Sequence, residues 1–133
     1  MEKAVKLYEN ERYSPIYGWC SRALLLTDRK NFSSSDGKVG WTSHKDAEKD
    51  LISRCWKWLG KWELENEAEG GWSYSTDFKS FDEKIFTPGD PTISSSPIDG
   101  IMRFVRRRCW IRKQILSGMY AYLNTNTLLS NAF

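Results

Sequence analysis

The sequence predicts an all-β fold, an antiparallel β-sandwich-like domain with long loops and at most short helices, and three observations predict it. Cys55-Trp56-Lys57-Trp58-Leu59-Gly60-Lys61-Trp62 and Arg103-Phe104-Val105-Arg106-Arg107-Arg108-Cys109-Trp110-Ile111-Arg112 each repeat one chemistry on alternate residues, the period of an extended chain whose successive side chains point to opposite faces. Seven Trp and an aromatic fraction of 14%, against a hydrophobic fraction of only 40%, imply a core built from rings rather than from Leu and Val. Gly, Pro and Ser punctuate short strand-like runs throughout. A chain of 133 residues fits one domain.

In order, Val5 to Arg12 reads as a strand, with Tyr8, Asn10 and Arg12 on one face and Val5, Leu7 and Glu9 on the other. Ser14 to Gly18 turns the chain into a second strand, Trp19 to Thr27, followed by a Ser- and Gly-rich loop over Asn31 to Gly40. Asp46 to Ser53 is the one convincing helical segment before the C-terminus. Cys55 to Glu65 and Gly71 to Phe78 read as a hairpin joined through Asn66 to Gly70. Asp82 to Gly100, with Pro88, Pro91 and Pro97, reads as a long surface excursion. Ile101 to Lys113 is the clearest strand, and the tail from Gln114 mixes residues that favour burial with a turn-forming Asn-Thr-Asn-Thr. No internal repeat is visible.

Alternation puts Trp56, Trp58 and Trp62 on one face and Arg106, Arg108, Trp110 and Arg112 on another. If those faces meet, flat guanidinium groups slot between indoles, each contact contributing roughly 0.5 to 2 kcal/mol. Twenty Lys plus Arg against seventeen Asp plus Glu leave a net charge of +3, which does not by itself announce a polyanion. Three cysteines without paired spacing argue for reduced thiols and a cytosolic setting rather than a disulfide framework or zinc site. The charged N-terminus is no signal peptide, and no apolar run approaches the roughly 20 residues of a membrane span, so membrane attachment is expected to be peripheral.

Catalysis finds little support: His44, the single histidine, lies in a polar stretch and reads as a solvated surface residue. The acids Glu63, Glu65, Glu67 and Glu69 lack the Asp/Asn pattern of a calcium loop. No catalytic residue, cofactor or metal site is expected. Cations beside aromatic rings instead suit an anionic bilayer surface: Arg29, Lys30 and Phe32 in the first loop, Lys79, Phe81, Lys84 and Phe86 in the later one, and Arg103, Arg107 and Lys113 on the parity opposite the Trp-facing arginines.

Tyr8-Glu9-Asn10-Glu11-Arg12 followed by Gly18-Trp19 resembles the opening motif of the dysferlin domain, and Gly71-Trp72-Ser73-Tyr74 with Phe78, then Met102 to Arg112, resembles its closing motif. Trp56, Trp58 and Trp62 match its intervening tryptophans. The resemblance covers residues 8–112 of one domain spanning 1–133, with 113–133 as a C-terminal extension; Glu11 departs from the more usual Gln. It implies that Arg12, Trp56, Trp58, Trp62, Trp72, Arg106, Arg108, Trp110 and Arg112 form a structural Arg/Trp stack. The short chain is most similar to a fungal sporulation type. That implies a non-enzymatic, cytoplasmic protein, peripherally attached to the prospore membrane, which binds anionic phospholipid (phosphatidic acid is suggested for related domains) and supports prospore membrane extension. Two alternatives are an adaptor recruited by a membrane-associated scaffold with a pleckstrin homology domain, and a peroxin-like membrane-shaping factor at the endoplasmic reticulum or peroxisome. Nucleic acid is not an expected partner, because Arg and Trp that stack on each other are not free for bases.

Overall fold

The computed structural model describes residues 1–83, 93–94 and 104–118. Its frame is a long antiparallel pair made from the first and last described strands, β1 (Glu2–Ser14) and β8 (Val105–Leu116), in continuous register from Glu2 opposite Ile115 to Arg12 opposite Val105. Successive side chains along both strands point to opposite sides, so one pleated ribbon presents two distinct faces. The outer edge of β1 carries β2 (Gly18–Cys20) and β3 (Phe32–Ser33), and β4 (Gly40–Trp41) adds to β3. The outer edge of β8 carries β5 (Trp56–Leu64) and β6 (Ser73–Ser75) end to end, with β7 (Ile93–Ser94) beyond β6. Every pairing is antiparallel, and the sheet is open. The fold is therefore all-β, with its strands hydrogen-bonded into one sheet rather than two separate ones.

Three expectations change in detail. The segments 55–65 and 71–78 are not a hairpin: β5 and β6 pair with β8 rather than with each other. The chain between them turns through positive φ at Glu69, Gly70 and Gly71, which sets β6 alongside β8 past the end of β5. Past Cys20 the expected second strand gives way to turns, because Asp28 accepts from the Leu25 amide at 2.7 Å while Leu24 bonds back to Ser21. The Ser-rich loop is a small hairpin, β3–β4, with Gly37 at φ 73° in its turn. The long excursion from Lys84 to Gly100 lies outside the described residues apart from β7, as do Ile101 to Arg103 and the tail from Met119.

Cross-strand register decides the two faces. Val5, Leu7, Glu9 and Glu11 stand opposite Arg112, Trp110, Arg108 and Arg106. Helix α1 (His44–Leu51) and β3–β4 cover this face, burying Leu7, Phe32, Trp41 and Ala47 against Leu51, Trp62 and Trp110. Ser43 caps the helix by accepting from the Asp46 amide at 3.1 Å, an acid following in the first turn as the helix dipole favours. On the other face Val105 packs with Phe78, Phe81 and Leu24, placing α2 (Ser80–Glu83) against the sheet.

Gly71 adopts φ 77°, and a Cβ there would stand 2.4 Å from the Asn66 carbonyl oxygen. Gly60, also at positive φ, faces open space. Gly71→Ala is expected to cost about 2 kcal/mol or more, since strain and a clash add, and Gly60→Ala about 1 kcal/mol. Urea unfolding of the two variants measures the difference.

Candidate functional site

Alternation along β8 sends Arg106, Arg108, Trp110 and Arg112 to the helix-covered face. Arg106 lies 3.9 Å from the Trp72 ring centre and 5.0 Å from that of Trp19. Arg108 follows at 4.3 Å from Trp72 and 5.0 Å from Trp110, and Arg112 sits 5.1 Å from Trp58. Trp72 is thus shared by two guanidiniums. Two faces do not meet here; neighbouring strands set the groups side by side on a single face.

Acids complete the row. Glu11 accepts from Arg106 Nε at 2.8 Å. A single oxygen of Glu9 accepts from Arg108 Nε at 2.7 Å and the Trp110 indole at 2.9 Å. One oxygen of Glu48, on α1, likewise takes Arg112 at 2.7 Å and the Trp62 indole at 2.8 Å. Glu9 and Glu48 therefore each neutralise a guanidinium and satisfy an indole at once, and Glu11 neutralises Arg106. Buried polar groups without such partners would each cost about 1 to 3 kcal/mol.

His44 closes the gap between the two halves of the row. Its ring stacks on Trp62 at 5.7 Å and 14°, meets Trp110 edge-on at 5.4 Å and lies 4.4 Å from Phe32. The expectation of a solvated surface histidine is corrected: capping by Ser43 starts the helix at His44 and swings the ring inward. Its Nε2 is buried without a hydrogen-bond partner. Burial pushes the His44 pKa down; Glu9 and Glu48 pull it up, and Arg108 adds to the depression. Trp19, Tyr74 and Tyr13 extend the row beyond Arg106, with ring centres 5.3 and 5.4 Å apart.

Two residues expected in the stack stand elsewhere. Arg12 has the opposite parity on β1 and forms a two-point bond to Asp28 at 2.7 and 2.8 Å. Burial works to raise the Asp28 pKa, but the bonds from Arg12 and the Leu25 amide outweigh it and hold the carboxyl low. Trp56, at the far end of β5, receives the Lys3 ammonium at 4.2 Å rather than a guanidinium.

The cationic loops expected at a bilayer are rearranged more thoroughly. Phe32 and Phe81 are buried core residues. The Arg29 and Arg107 side chains are only 9% and 14% exposed, and both donate to the Ser35 carbonyl oxygen at 2.9 Å. Arg107 lies between the rings of Tyr8 and Phe81, 4.4 and 4.5 Å away. Lys113 is exposed and near Glu2, while Lys79 is exposed with partners of its own. Of that set Lys30 alone remains an exposed cation without an ion pair to a described residue; Lys84, Phe86 and Arg103 lie outside the described residues.

Exposed apolar side chains gather elsewhere. Of the eight large ones among the described residues, Tyr13, Ile16, Tyr17, Leu25, Leu26 and Phe104 lie around the end of the sheet where β1 finishes and β8 begins. Tyr13 and Phe104 are bonded through their backbones at 2.8 Å. Arg22 reaches over the Tyr17 ring at 5.9 Å, and with Leu25, Leu26 and Lys30 it lines one open cleft. Sequence reasoning missed this end because Ile16, Leu25 and Leu26 read as strand or turn interior; the turns after Ser14 and after Cys20 turn them outward.

The Cys109 thiol is pushed up to about 12, first by burial and then by Glu65, so it stays protonated at neutral pH and is a poor nucleophile. Among the described residues no His, Cys, Asp and Glu cluster could hold a metal ion, and no helix is long and apolar enough to cross a membrane.

No protein-family model matches the chain. It is 36% identical over 124 residues, 89% of its length, to the Tectonin beta-propeller repeat-containing protein of Drosophila melanogaster. It is 34% identical over 116 residues, 84% of its length, to Tectonin beta-propeller repeat-containing protein 1 of Homo sapiens, and 31% identical over the same span to that of Xenopus tropicalis. The chain spans 8% of the length of each of these relatives. The assignment to the dysferlin family is thereby corrected: the similar proteins are named for tectonin repeats, and the sporulation expectations that rested on that assignment fall with it. A single open sheet is not the radial set of four-stranded blades that makes a propeller, so the similarity carries no propeller architecture to the described residues.

Arg108→Ala strips Glu9 of its cation and two indoles of a partner; it is expected to destabilise the fold by about 3 kcal/mol, whereas the exposed Lys61→Ala should stay within about 0.5 kcal/mol. Chemical denaturation compares them. Because the folded-state pKa of His44 is depressed, its neutral form contributes stability that is present above the unfolded pKa near 6.5 and is lost as pH falls below it. Wild type should therefore lose more stability than His44→Gln between pH 7.5 and 5.5; equal losses would remove His44 as the cause.

Proposed function

Taking similarity to one short stretch of much longer proteins as the premise, we propose that this chain is a non-enzymatic module that docks on anionic phospholipid surfaces. The docking element is the end of the sheet where β1 meets β8. The observation that carries this reading is the concentration of exposed apolar side chains there, with Arg22 and Lys30 beside them. Single exposed apolar residues need no explanation, but a contiguous cluster on one end does. Ile16, Leu25 and Leu26 would enter the interfacial zone, where each buried aliphatic side chain gains about 1.5 to 3 kcal/mol at full insertion. Arg22 and Lys30 would meet headgroup phosphates at about 1 kcal/mol per charge.

This shifts the contact away from the loops the sequence favoured. Arg29, Phe32, Phe81 and Arg107 stabilise the fold, so lipid affinity falls to residues whose substitution leaves the core untouched. The same cluster also suits a protein partner, which makes the adaptor reading the other outcome of the test.

Flotation with phosphatidylcholine vesicles, with and without phosphatidic acid or phosphatidylserine at low salt, is expected to recover the protein only with anionic lipid. Ile16→Ser with Leu26→Ser should lower the partition coefficient at least about tenfold, equivalent to about 1.4 kcal/mol, without moving the melting temperature. Absence of wild-type binding, or full binding by the double variant, would turn the conclusion to the protein adaptor.

A further inference from the structure

The face opposite the Arg/Trp row carries a cluster in which two arginines are ion-paired to one carboxylate. Arg29 and Arg107 converge from a loop and from β8 on one carboxylate, Asp82, in α2. Arg29 is bonded to it directly, while the nearest approach of Arg107 is 3.9 Å. Two largely buried cations thus share one anion. Of the other acids around the same cavity, Asp28 is paired with Arg12, while Asp36 accepts from the Ser34 hydroxyl and the Lys38 amide at 2.9 and 3.0 Å and Asp77 from the Ser80 hydroxyl and amide at 2.7 and 2.8 Å. The pKa of Arg107 is pushed down, first by burial and further by repulsion from Arg29, against the pull of Tyr8 and Asp82.

What joins the two arginines is Ser35. Its carbonyl accepts from both at 2.9 Å, its side chain faces the Tyr8 hydroxyl, and the residue itself is exposed at the tip of the β3–β4 turn. The turn is shaped around Arg29: a Cβ on Gly37 would stand 2.4 Å from Arg29 Nε, so only glycine lets the guanidinium approach this closely. An exposed serine whose carbonyl oxygen is held by two guanidiniums therefore sits beside a pair of cations that share one ion-paired carboxylate among the described residues.

We propose that Ser35 is a phosphorylation site whose phosphate is clasped by Arg29 and Arg107 in place of Asp82. A serine kinase would transfer the γ-phosphoryl group of ATP: the Pγ–O bond to the departing ADP breaks, an Oγ–P bond forms, and the hydroxyl proton passes to the kinase's base. The product brings close to two negative charges and three acceptor oxygens to a pair of forked donors, the strongest common recognition of a phosphate by side chains. Asp82, and with it α2, then loses its hold on the sheet-borne arginine. The modification acts on the face away from the Arg/Trp row, where Arg29 also lines the cleft assigned above to membrane docking.

Phosphoserine placed at position 35 during translation, with and without Asp82→Asn, gives four proteins for thermal unfolding. In the unmodified chain Asp82→Asn should lower the melting temperature by about 3 °C; in the phosphorylated chain it should change it by less than about 1 °C. The phosphate itself should raise the melting temperature by about 3 °C at low salt, and this gain should vanish when Arg29→Gln and Arg107→Gln are combined. By ³¹P titration its second ionisation should fall below the value of about 6 for an unclasped phosphoserine. An unchanged or lowered melting temperature, an Asp82→Asn effect of equal size in both chains, or a titration like that of a free phosphoserine peptide would each overturn the proposal.

Discussion

A guanidinium cannot be taken out of water without a partner, and the fold answers this requirement three times along one face of one strand. Arg106, Arg108 and Arg112 are each placed over indole rings and each bound to a glutamate, Glu11, Glu9 and Glu48. The rings supply polarisable, weakly hydrated surface for a flat, weakly hydrated cation. The carboxylates remove the cost of burying its charge, which would otherwise reach about 3 to 5 kcal/mol for a pair broken on one side. Neither component is sufficient alone, and β1, β5, α1 and the turn before Trp72 are all positioned by having to bring one or the other to β8. His44 lets the row run without a break, at the cost of a buried ring nitrogen with no partner.

The parity of the arginines and tryptophans could be read from their spacing, because alternation in a strand is a local property. What could not be read was which strand lies beside which. Glu9 and Glu11 share a face with Leu7, but nothing local says that they fall opposite Arg108 and Arg106; that follows from pairing between segments about a hundred residues apart. The same limit explains Arg12, whose parity sends it to Asp28, and β5 with β6, whose spacing suggests a hairpin although β8 takes both. His44 was hidden for a different reason: polar neighbours in sequence mark a helix start, and the helix then points one of them inward.

Charge was the least transferable signal. The run from Arg103 to Lys113 is the most basic in the chain, yet among its described members Arg106, Arg107, Arg108 and Arg112 are all engaged with rings, carboxylates or carbonyls. The exposed large apolar residues lie instead mostly where the turns after Ser14 and Cys20 leave them outside the core. A basic segment rich in aromatic residues can thus be largely structural.

The frame of the fold has its first and last described strands side by side, with Glu2 opposite Ile115. A polypeptide could enter this sheet and leave it at neighbouring points, so the unit has the geometry of a cassette that can be spliced into a surface loop of a larger host without prising the host apart. The corollary is mechanical: tension applied at the two junctions would peel β1 from β8 one hydrogen-bonded pair after another, like a zip, instead of shearing the whole ladder at once.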